Sequence, residues 1–167
     1  MSEKLSYIPV KTEAQIEQAA GLAARIWPEC FARILTPQQI AYMVDKFQSA
    51  PAMTRQINEE GYEYFLVCVD EVPGGYVSIR AGDGKLMLSK LYMLDDHRGK
   101  GFARQILQFV EEAGRQRKCV GVWLTVNRFN ERAIAVYRKT GYELTREEQQ
   151  DIGGGFMMDD YIFEKPL

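Results

Sequence analysis

The chain has 167 residues and a formal net charge of −2, with 46% hydrophobic and 26% charged residues. This length predicts one domain, residues 1–167, and the composition is typical of a globular protein. Proteins that bind nucleic acid across a broad face are usually basic, so we expect no nucleic-acid partner. No apolar run approaches the ~18 residues of a membrane span and no secretory leader is visible, which favours a cytoplasmic protein without a membrane partner.

Three cysteines and one histidine limit the disulfide and metal chemistry. Cys30, Cys68 and Cys119 are an odd number without pair spacing, which favours free thiols in a reducing compartment over a disulfide framework. Structural zinc sites need several thiolate or imidazole ligands within reach of one ion. Because His97 is the only histidine, we expect no metal site.

The first third of the chain predicts one strand followed by three helices. Leu5–Pro9 is a short strand, and Thr12 is an N-cap before apolar residues at helical spacing that continue to Pro28. Thr36-Pro37 begins a second helix, as a cap followed by proline in the first turn. A third helical stretch covers residues 52–58.

The middle of the chain changes to the period of β-strands. Three apolar runs rich in aromatic and β-branched residues cover 64–69, 76–80 and 86–94. Two strong turn signals separate them, Val72-Pro73-Gly74-Gly75 and Gly82-Asp83-Gly84. The pattern predicts an antiparallel meander of three strands.

The remaining elements complete a mixed order. A helix over 101–117 precedes a buried strand over 120–126 and a helix over 131–140, and two last strands surround three consecutive glycines. The full order predicts an α/β (α+β) fold. We expect one mixed, mostly antiparallel central sheet of about seven strands with helices on both faces.

One segment between a predicted strand and helix carries the clearest site signal. Gly99 and Gly101 remove side chains where a backbone must approach a ligand closely, and the first amides of the helix have no intrahelical partner. With the cations Arg98, Lys100 and Arg104, this loop is typical of an anion cradle. The alternative is a glycine-rich turn with solvated basic side chains. The spacing matches neither a P-loop nor a dinucleotide fingerprint.

Two motifs resemble the GNAT superfamily of N-acetyltransferases. The family signature Arg/Gln-x-x-Gly-x-Gly/Ala is matched by Arg98, Gly101 and Ala103, and residues 127–137, closing with Gly141-Tyr142, resemble the following strand-to-helix region. The resemblance is strong over 85–142 and loose before Gly61. Two departures stand out. Asp95-Asp96 replaces a stretch that often contains proline, and Tyr142 stands where phenylalanine is frequent.

The resemblance implies a binding site for acetyl-CoA. Backbone groups of Leu91 and Met93 would pair with the pantetheine arm, and the Met93 N–H would stabilise the oxyanion. Asn130 would cap the next helix or also reach the cofactor. Tyr137 matches the proposed general acid for the leaving thiolate, with a core aromatic as its alternative. The pyrophosphate would be held by the loop residues Arg98, Gly99, Lys100, Gly101, Phe102, Ala103 and Arg104.

The acceptor is expected to be a primary amine of a small molecule. Trp27, Phe31 and Tyr42 are candidates for an aromatic wall or, alternatively, for the core between the first helices. Asp159 and Asp160 follow the glycine run, where paired acids would attract a cationic amine. Residues 137–167 loosely resemble bacterial spermidine/spermine acetyltransferases, which makes a polyamine the first substrate to test.

Several alternatives remain open from the sequence. The general base is Glu29, Glu63 or Asp160, each of which is otherwise a surface carboxylate. The acceptor is alternatively a protein N-terminus or lysine, and the domain is alternatively a non-catalytic acyl-CoA sensor or, more remotely, a nucleotide-binding module. A homodimer formed through edge strands is also compatible with the sequence.

Overall fold

The computed structural model describes residues 3–167, and its elements follow the predicted order. The helices are α1 (Glu13–Phe31), α2 (Pro37–Phe47), α3 (Ala50–Glu59), α4 (Phe102–Gln116) and α5 (Glu131–Lys139). The strands are β1 (Leu5–Pro9), β2 (Glu63–Val69), β3 (Val72–Gly82), β4 (Lys85–Met93), β5 (Gly121–Asn127), β6 (Glu143–Gly153) and β7 (Phe156–Pro166). A single 3-10 turn, Asp95–His97, follows β4.

The seven strands form one sheet in the order β1-β2-β3-β4-β5-β7-β6. The β1–β2, β2–β3, β5–β7 and β6–β7 pairs are antiparallel, whereas β4 and β5 are parallel. The predicted mixed, mostly antiparallel sheet of about seven strands is therefore confirmed. The chain divides into two compact units, one of residues up to Ile79 with Lys90–Phe102, the other of Arg80–Ser89 with Ala103–Leu167.

The first unit buries an aromatic core beneath its helices. Trp27 of α1 and Tyr76 of β3 are almost fully buried, and the indole Nε1 donates to the Tyr76 hydroxyl over 3.3 Å. Tyr64 of β2 stacks against Tyr76 with ring centroids 6.5 Å apart. Large aromatic side chains remove much apolar area from water, and their hydroxyl and N–H groups need partners when buried. The hydrogen bond between Trp27 and Tyr76 gives both buried polar groups a partner, which allows this aromatic core to be stable.

The second unit buries the apolar stripe of α4 and the inward residues of β5 and β7. Ile106, Leu107 and Val110 recur at helical spacing and are essentially unexposed. Leu124 on β5 and Phe163 on β7 are cross-strand neighbours and are also buried. Strand β6 lies at the edge of the sheet and is exposed at nearly every position.

Helix boundaries confirm two of the predicted caps and correct one predicted end. Thr12 forms a capping box with Gln15, and the Thr36 hydroxyl accepts from the Gln39 amide. The prediction that α1 ends at Pro28 is wrong, since the helix continues to Phe31. Proline removes a single backbone donor. The burial of Phe31 in the same aromatic core is the compensating contact.

The first predicted turn of the meander is also displaced. The structure turns at Asp70 and Glu71, which both have positive φ, and β3 already begins at Val72. Gly74 and Gly75 therefore lie within the strand, beside a bulge in its register with β2. A Cβ on Gly75 would overlap the Tyr92 carbonyl oxygen and the Met93 sulfur. These glycines allow β3 to approach the end of β4 closely, which the turn interpretation missed.

Candidate functional site

Strand β4 pairs with β5 over only part of its length. The parallel ladder joins Lys85–Leu88 to Gly121–Leu124 and stops there, although β4 continues to Met93. Leu91 is half-buried and Met93 is buried in this last part of β4. A strand edge that a neighbour leaves unpaired offers main-chain donors and acceptors to an extended ligand.

The loop after β4 has the backbone conformation of an anion cradle. Gly99 and Gly101 have φ of 75° and 79°, and Phe102 then begins the 15-residue helix α4. A Cβ built on Gly101 would meet no atom within 4 Å, so the space above this residue is open. Glycines with positive φ turn successive amides toward one side, and the helix N-terminus adds its dipole. The loop therefore combines open space at Gly101 with the backbone amides at the start of α4.

Two of the three predicted cations are already engaged by the protein. Arg98 donates from Nε and Nη2 to the Met93 carbonyl oxygen, over 3.3 and 3.2 Å, and its Nη1 lies 3.1 Å from Asp95. Lys100 pairs with Glu3 over 2.9 Å. Arg98 consequently ties the loop to the end of β4 and helps to fix the cradle's shape. Ala103 and the exposed Arg104 lie in the first turn of α4.

The two remaining motif residues lie on α5. Asn130 caps this helix, with its Oδ1 accepting from the Ala133 amide over 3.2 Å, so the N-cap interpretation is confirmed. Tyr137 is half-buried near the end of α5, with its ring 5.9 Å from Tyr142 and 6.3 Å from Phe163. An aromatic side chain held between two other rings has a restricted orientation, and these contacts fit both the catalytic and the core interpretation of Tyr137.

The residues predicted as an aromatic wall are mostly core residues. Trp27 is 3% exposed and Phe31 is 5% exposed, with ring centroids 4.4 Å apart, and both rings also approach Tyr92. Tyr42 is half-buried on α2 and its hydroxyl accepts from Lys46. The burial of Trp27 and Phe31 favours the core alternative for this pair, because a ligand wall needs an accessible face.

The candidate carboxylates differ sharply in environment. Glu29 is exposed on α1 and Glu63 is half-buried at the start of β2. Asp159 forms an ion pair with Arg128 over 2.8 Å, and the same guanidinium also pairs with Glu147 over 2.5 Å. Asp160 is 8% exposed, and burial, with the nearby Glu148 and Asp159 carboxylates, raises its pKa to about 6.

A buried lysine, Lys90, lies on β4 and was not among the predicted site residues. Lys90 on β4 is 6% exposed, and its Nζ donates to the Phe47 carbonyl oxygen, to Gln56 Oε1 over 3.0 Å and to the Tyr64 hydroxyl. Burial lowers the pKa of Lys90 to about 7, against a smaller opposing effect of Glu60. The period of β4 contained the signal, since Lys90 alternates in step with the buried Leu86 and Leu88.

The described helices and ionisable side chains bear on two further expectations, those about membranes and metals. None of the helices within residues 3–167 is long and apolar enough to cross a bilayer. Over the same residues, no group of three or more His, Cys, Asp and Glu side chains is placed to hold a metal ion.

Comparison with known proteins places the chain among acetyltransferases. A family model described as the acetyltransferase (GNAT) family matches residues 23–142. The chain is 28% identical over 152 residues to an uncharacterized N-acetyltransferase of Mycobacterium tuberculosis (strain ATCC 25618 / H37Rv), a match that covers 90% of this chain and 97% of that protein. A shorter match, 32% identical over 66 residues, relates 40% of this chain to 35% of the streptothricin acetyltransferase of Streptomyces lavendulae.

The fold comparison agrees with the sequence comparison. The crystal structure of the PaiA N-acetyltransferase of Thermoplasma acidophilum in complex with coenzyme A matches with a TM-score of 0.79 at 19% identity, covering 100% of both chains. The chain therefore has an acetyltransferase fold, and it belongs to the acetyltransferase (GNAT) family. It is an N-acetyltransferase, and the acetyl donor of this family is acetyl-CoA.

Proposed function

We propose that the protein transfers the acetyl group of acetyl-CoA to a primary amine of a small, cationic molecule. The observation that carries the proposal is the open loop at the N-terminus of α4, where Gly99 and Gly101 both have positive φ. Backbone amides from Gly99 to Ala103 bind the pyrophosphate, with the charge of Lys100 and Arg104 nearby. The Arg98 amide, which the resemblance placed in the same set, instead donates to the Asp95 carbonyl oxygen over 3.1 Å. Backbone amides bind a diphosphate without help from their side chains. This explains why Gly99 and Gly101, which have none, stand in this loop.

The last residues of β4 hold the pantetheine arm. The β4–β5 ladder ends at Leu88, so the backbone groups of Leu91 and the Met93 N–H have no β5 partner, whereas the Met93 carbonyl oxygen accepts from Arg98. An extended pantetheine chain with two amides pairs with such an edge as an added strand does. Its thioester then lies near the end of β4, where the Met93 N–H donates to the carbonyl oxygen.

The chemistry needs a free amine, an oxyanion donor and an acid. The neutral amine nitrogen attacks the thioester carbonyl carbon and forms a C–N bond, while the negative charge collects on the carbonyl oxygen. The C–S bond then breaks, and the Tyr137 hydroxyl gives its proton to the leaving thiolate. The ammonium formed on attack loses a proton to a base, and the Tyr137 phenolate regains a proton through solvent, so charge and protons balance over the cycle. Asn130 caps α5 and thereby sets where Tyr137 lies along the helix.

Asp160 is the best candidate for the base among the three carboxylates. Its pKa of about 6 leaves it ionised at neutral pH, yet high enough to accept a proton from an ammonium through water. Glu29 is exposed, so water and salt screen it. Asp160 lies opposite Glu148 on β6, and this carboxylate pair attracts a cationic acceptor. Asp159 contributes less, because its carboxylate is already paired with Arg128.

The proposed acceptor class is a small amine with more than one positive charge, such as a polyamine. Two features support it: the Asp160–Glu148 pair and the local match to streptothricin acetyltransferase, which is named for a small-molecule acceptor. A peptide N-terminus, a protein lysine and a sensor that binds acyl-CoA without turnover are the competing outcomes of the experiment that follows.

Thiol release tests the acceptor class directly. We expect CoA release above the buffer rate with spermidine or another di- or triamine, and a lower rate with a monoamine of equal length, because only the former offers a second charge to the carboxylate pair. Lysine-containing and N-terminal peptides serve as the comparison set. Turnover confined to peptides would contradict the small-molecule assignment, and tight acetyl-CoA binding without turnover on any amine would indicate a sensor.

A glycine substitution tests the cradle. Gly101→Ala should raise the Kd for CoA about tenfold, equivalent to ~1.4 kcal/mol, because the new methyl group enters the diphosphate space and strains a positive φ. Gly84→Ala is the matched control. Gly84 has φ of 77°, its Cβ position is equally open, and it lies in the turn between β3 and β4. Calorimetric titration of CoA into both folded variants measures the effect. Equal Kd values would overturn the cradle assignment.

A further inference from the structure

We propose that Glu111, acting through Tyr142 and Lys165, positions the Tyr137 ring for catalysis, an inference that rests on the proposed role of Tyr137 as the acid. The residue at 142 is one of the two departures from the family pattern, since phenylalanine is frequent there. The structure gives the extra hydroxyl a partner, because Tyr142 donates to Glu111 Oε2 over 3.0 Å.

Glu111 is a buried carboxylate that uses both of its oxygens. It lies on α4 and is 6% exposed, with Oε2 accepting from Tyr142 and Oε1 accepting from Lys165 Nζ over 3.0 Å. Charges are rarely buried unless they are paired, because desolvation is costly. A phenylalanine at 142 would fill the same space without needing the carboxylate. The hydrogen bond between the Tyr142 hydroxyl and the Glu111 carboxylate therefore indicates that the ring at position 142 must be oriented as well as packed.

Lys165 extends the same cluster to the end of α5. Its Nζ donates to the Thr140 carbonyl oxygen over 2.8 Å as well as to Glu111. The Thr140 hydroxyl and amide in turn bond carbonyl oxygens in the last turn of the helix, including that of Tyr137. The Tyr142 amide donates to the Tyr137 carbonyl oxygen over 3.0 Å. Glu111 thus holds Tyr142 and Lys165 holds Thr140. Both of these residues donate to the Tyr137 carbonyl oxygen and so fix its backbone.

The Tyr137 side chain is restrained through the Tyr142 ring. The two rings meet edge to face at 5.9 Å, with an interplanar angle of 63°. The hydrogen bond from the para hydroxyl to Glu111 holds the long axis of the Tyr142 ring in place, which sets the position of the surface against which Tyr137 packs. A general acid must lie within hydrogen-bond reach of the atom it protonates, and a displacement of about 1 Å costs as much as ~100-fold in rate.

The test compares Tyr142→Phe in two backgrounds. In the wild-type background we expect kcat to fall about fivefold with little change in KM for acetyl-CoA or amine, since the acid is misplaced but binding is retained. In the Tyr137→Phe background the same substitution should have no further effect on kcat, because the group being positioned is absent. A second readout needs no activity: Tyr137 ring flips, followed by NMR, should be faster in Tyr142→Phe.

Control variants separate positioning from stability. Glu111→Gln is a second disruption of the same cluster and should reproduce the kcat loss of Tyr142→Phe if it folds. Glu164→Gln removes an ion pair with Lys85 in the same unit, 2.6 Å long, and should lower thermal stability without changing kcat. An equal kcat loss from Tyr142→Phe in both backgrounds, or none in the wild type, would overturn the positioning role. An unchanged kcat in Tyr137→Phe alone would instead overturn the acid assignment.

Discussion

Tyr137→Phe is expected to lower kcat about 100-fold while leaving the Kd for acetyl-CoA within about twofold, because a positioned general acid contributes ~10²–10⁴ in rate. The substitution removes one oxygen and keeps the ring contacts with Tyr142 and Phe163 at 5.9 and 6.3 Å. Without the phenol, CoA must leave as a free thiolate or take its proton from water. Steady-state kinetics with a saturating amine, with titration of acetyl-CoA for binding, measures both quantities.

A second tyrosine supplies the control for this prediction. Tyr7→Phe removes a phenol from β1, where burial raises the pKa of Tyr7 to about 12 and where no role in catalysis is proposed. We expect its kcat to match the wild type. Equal losses in the two variants would mean that any lost hydroxyl slows turnover through general destabilisation. Preserved kcat in Tyr137→Phe would mean that water or another residue protonates the thiolate.

Most of the fold was predictable because its elements carry local signals. The caps Thr12 and Thr36 and the change from helical to strand period each depend on neighbours within a few residues. The errors occurred where a distant contact outweighs a local preference. Pro28 should end α1, but the burial of Phe31 keeps the helix intact. Gly74 and Gly75 have the composition of a turn, yet they lie within β3 because the end of β4 approaches them closely.

The candidate site also has features that the sequence predicted and features that it did not. The glycines of the cradle were visible as a motif, because their task is local and needs a specific backbone conformation. The partners of the charged groups were not visible, because they come from distant segments. Arg98 bonds the end of β4, Arg128 pairs with Asp159, and Glu111 on α4 meets Lys165 on β7. The sequence shows which side chains are ionisable, but it does not show which of them are buried or paired in space.

Lys90 is expected to make the stability of the protein depend on pH between about 7 and 10. The folded protein holds this amine with a pKa of about 7, whereas an unfolded chain keeps its proton up to the ordinary value of 10.5. Between these values the unfolded state binds more protons, so the free energy of unfolding rises with pH by up to ~1.4 kcal/mol per unit. Below pH 7 both states are protonated, and the full cost of burying the charge is present.

Other groups with shifted pKa values act outside the range from pH 7 to 9. Asp160, with its pKa raised to about 6, affects stability at lower pH. The buried hydroxyls of Tyr64, Tyr76 and Tyr142 have pKa values raised above 10, so they affect stability only where tyrosines of the unfolded chain ionise. The Cys68 thiol, with its pKa raised from 9.0, contributes near the upper end. These groups are present both in the wild type and in a variant that changes Lys90 alone, so their effects on stability cancel when the two proteins are compared.

Lys90→Met isolates the contribution of the amine. Methionine fills much of the same volume, so the variant loses donors to the Phe47 carbonyl oxygen, Gln56 and Tyr64 without opening a large cavity. We expect the wild type to gain ~2–3 kcal/mol over the variant between pH 7 and pH 9, measured by urea unfolding. Parallel pH profiles for the two proteins would contradict a neutral Lys90, and would mean that the three acceptors and the Tyr64 ring, 5.0 Å from Nζ, keep it charged. A wild-type excess that grows with pH would instead show that Lys90 is neutral in the folded protein, where it joins β4 to α2 and α3 through Phe47 and Gln56.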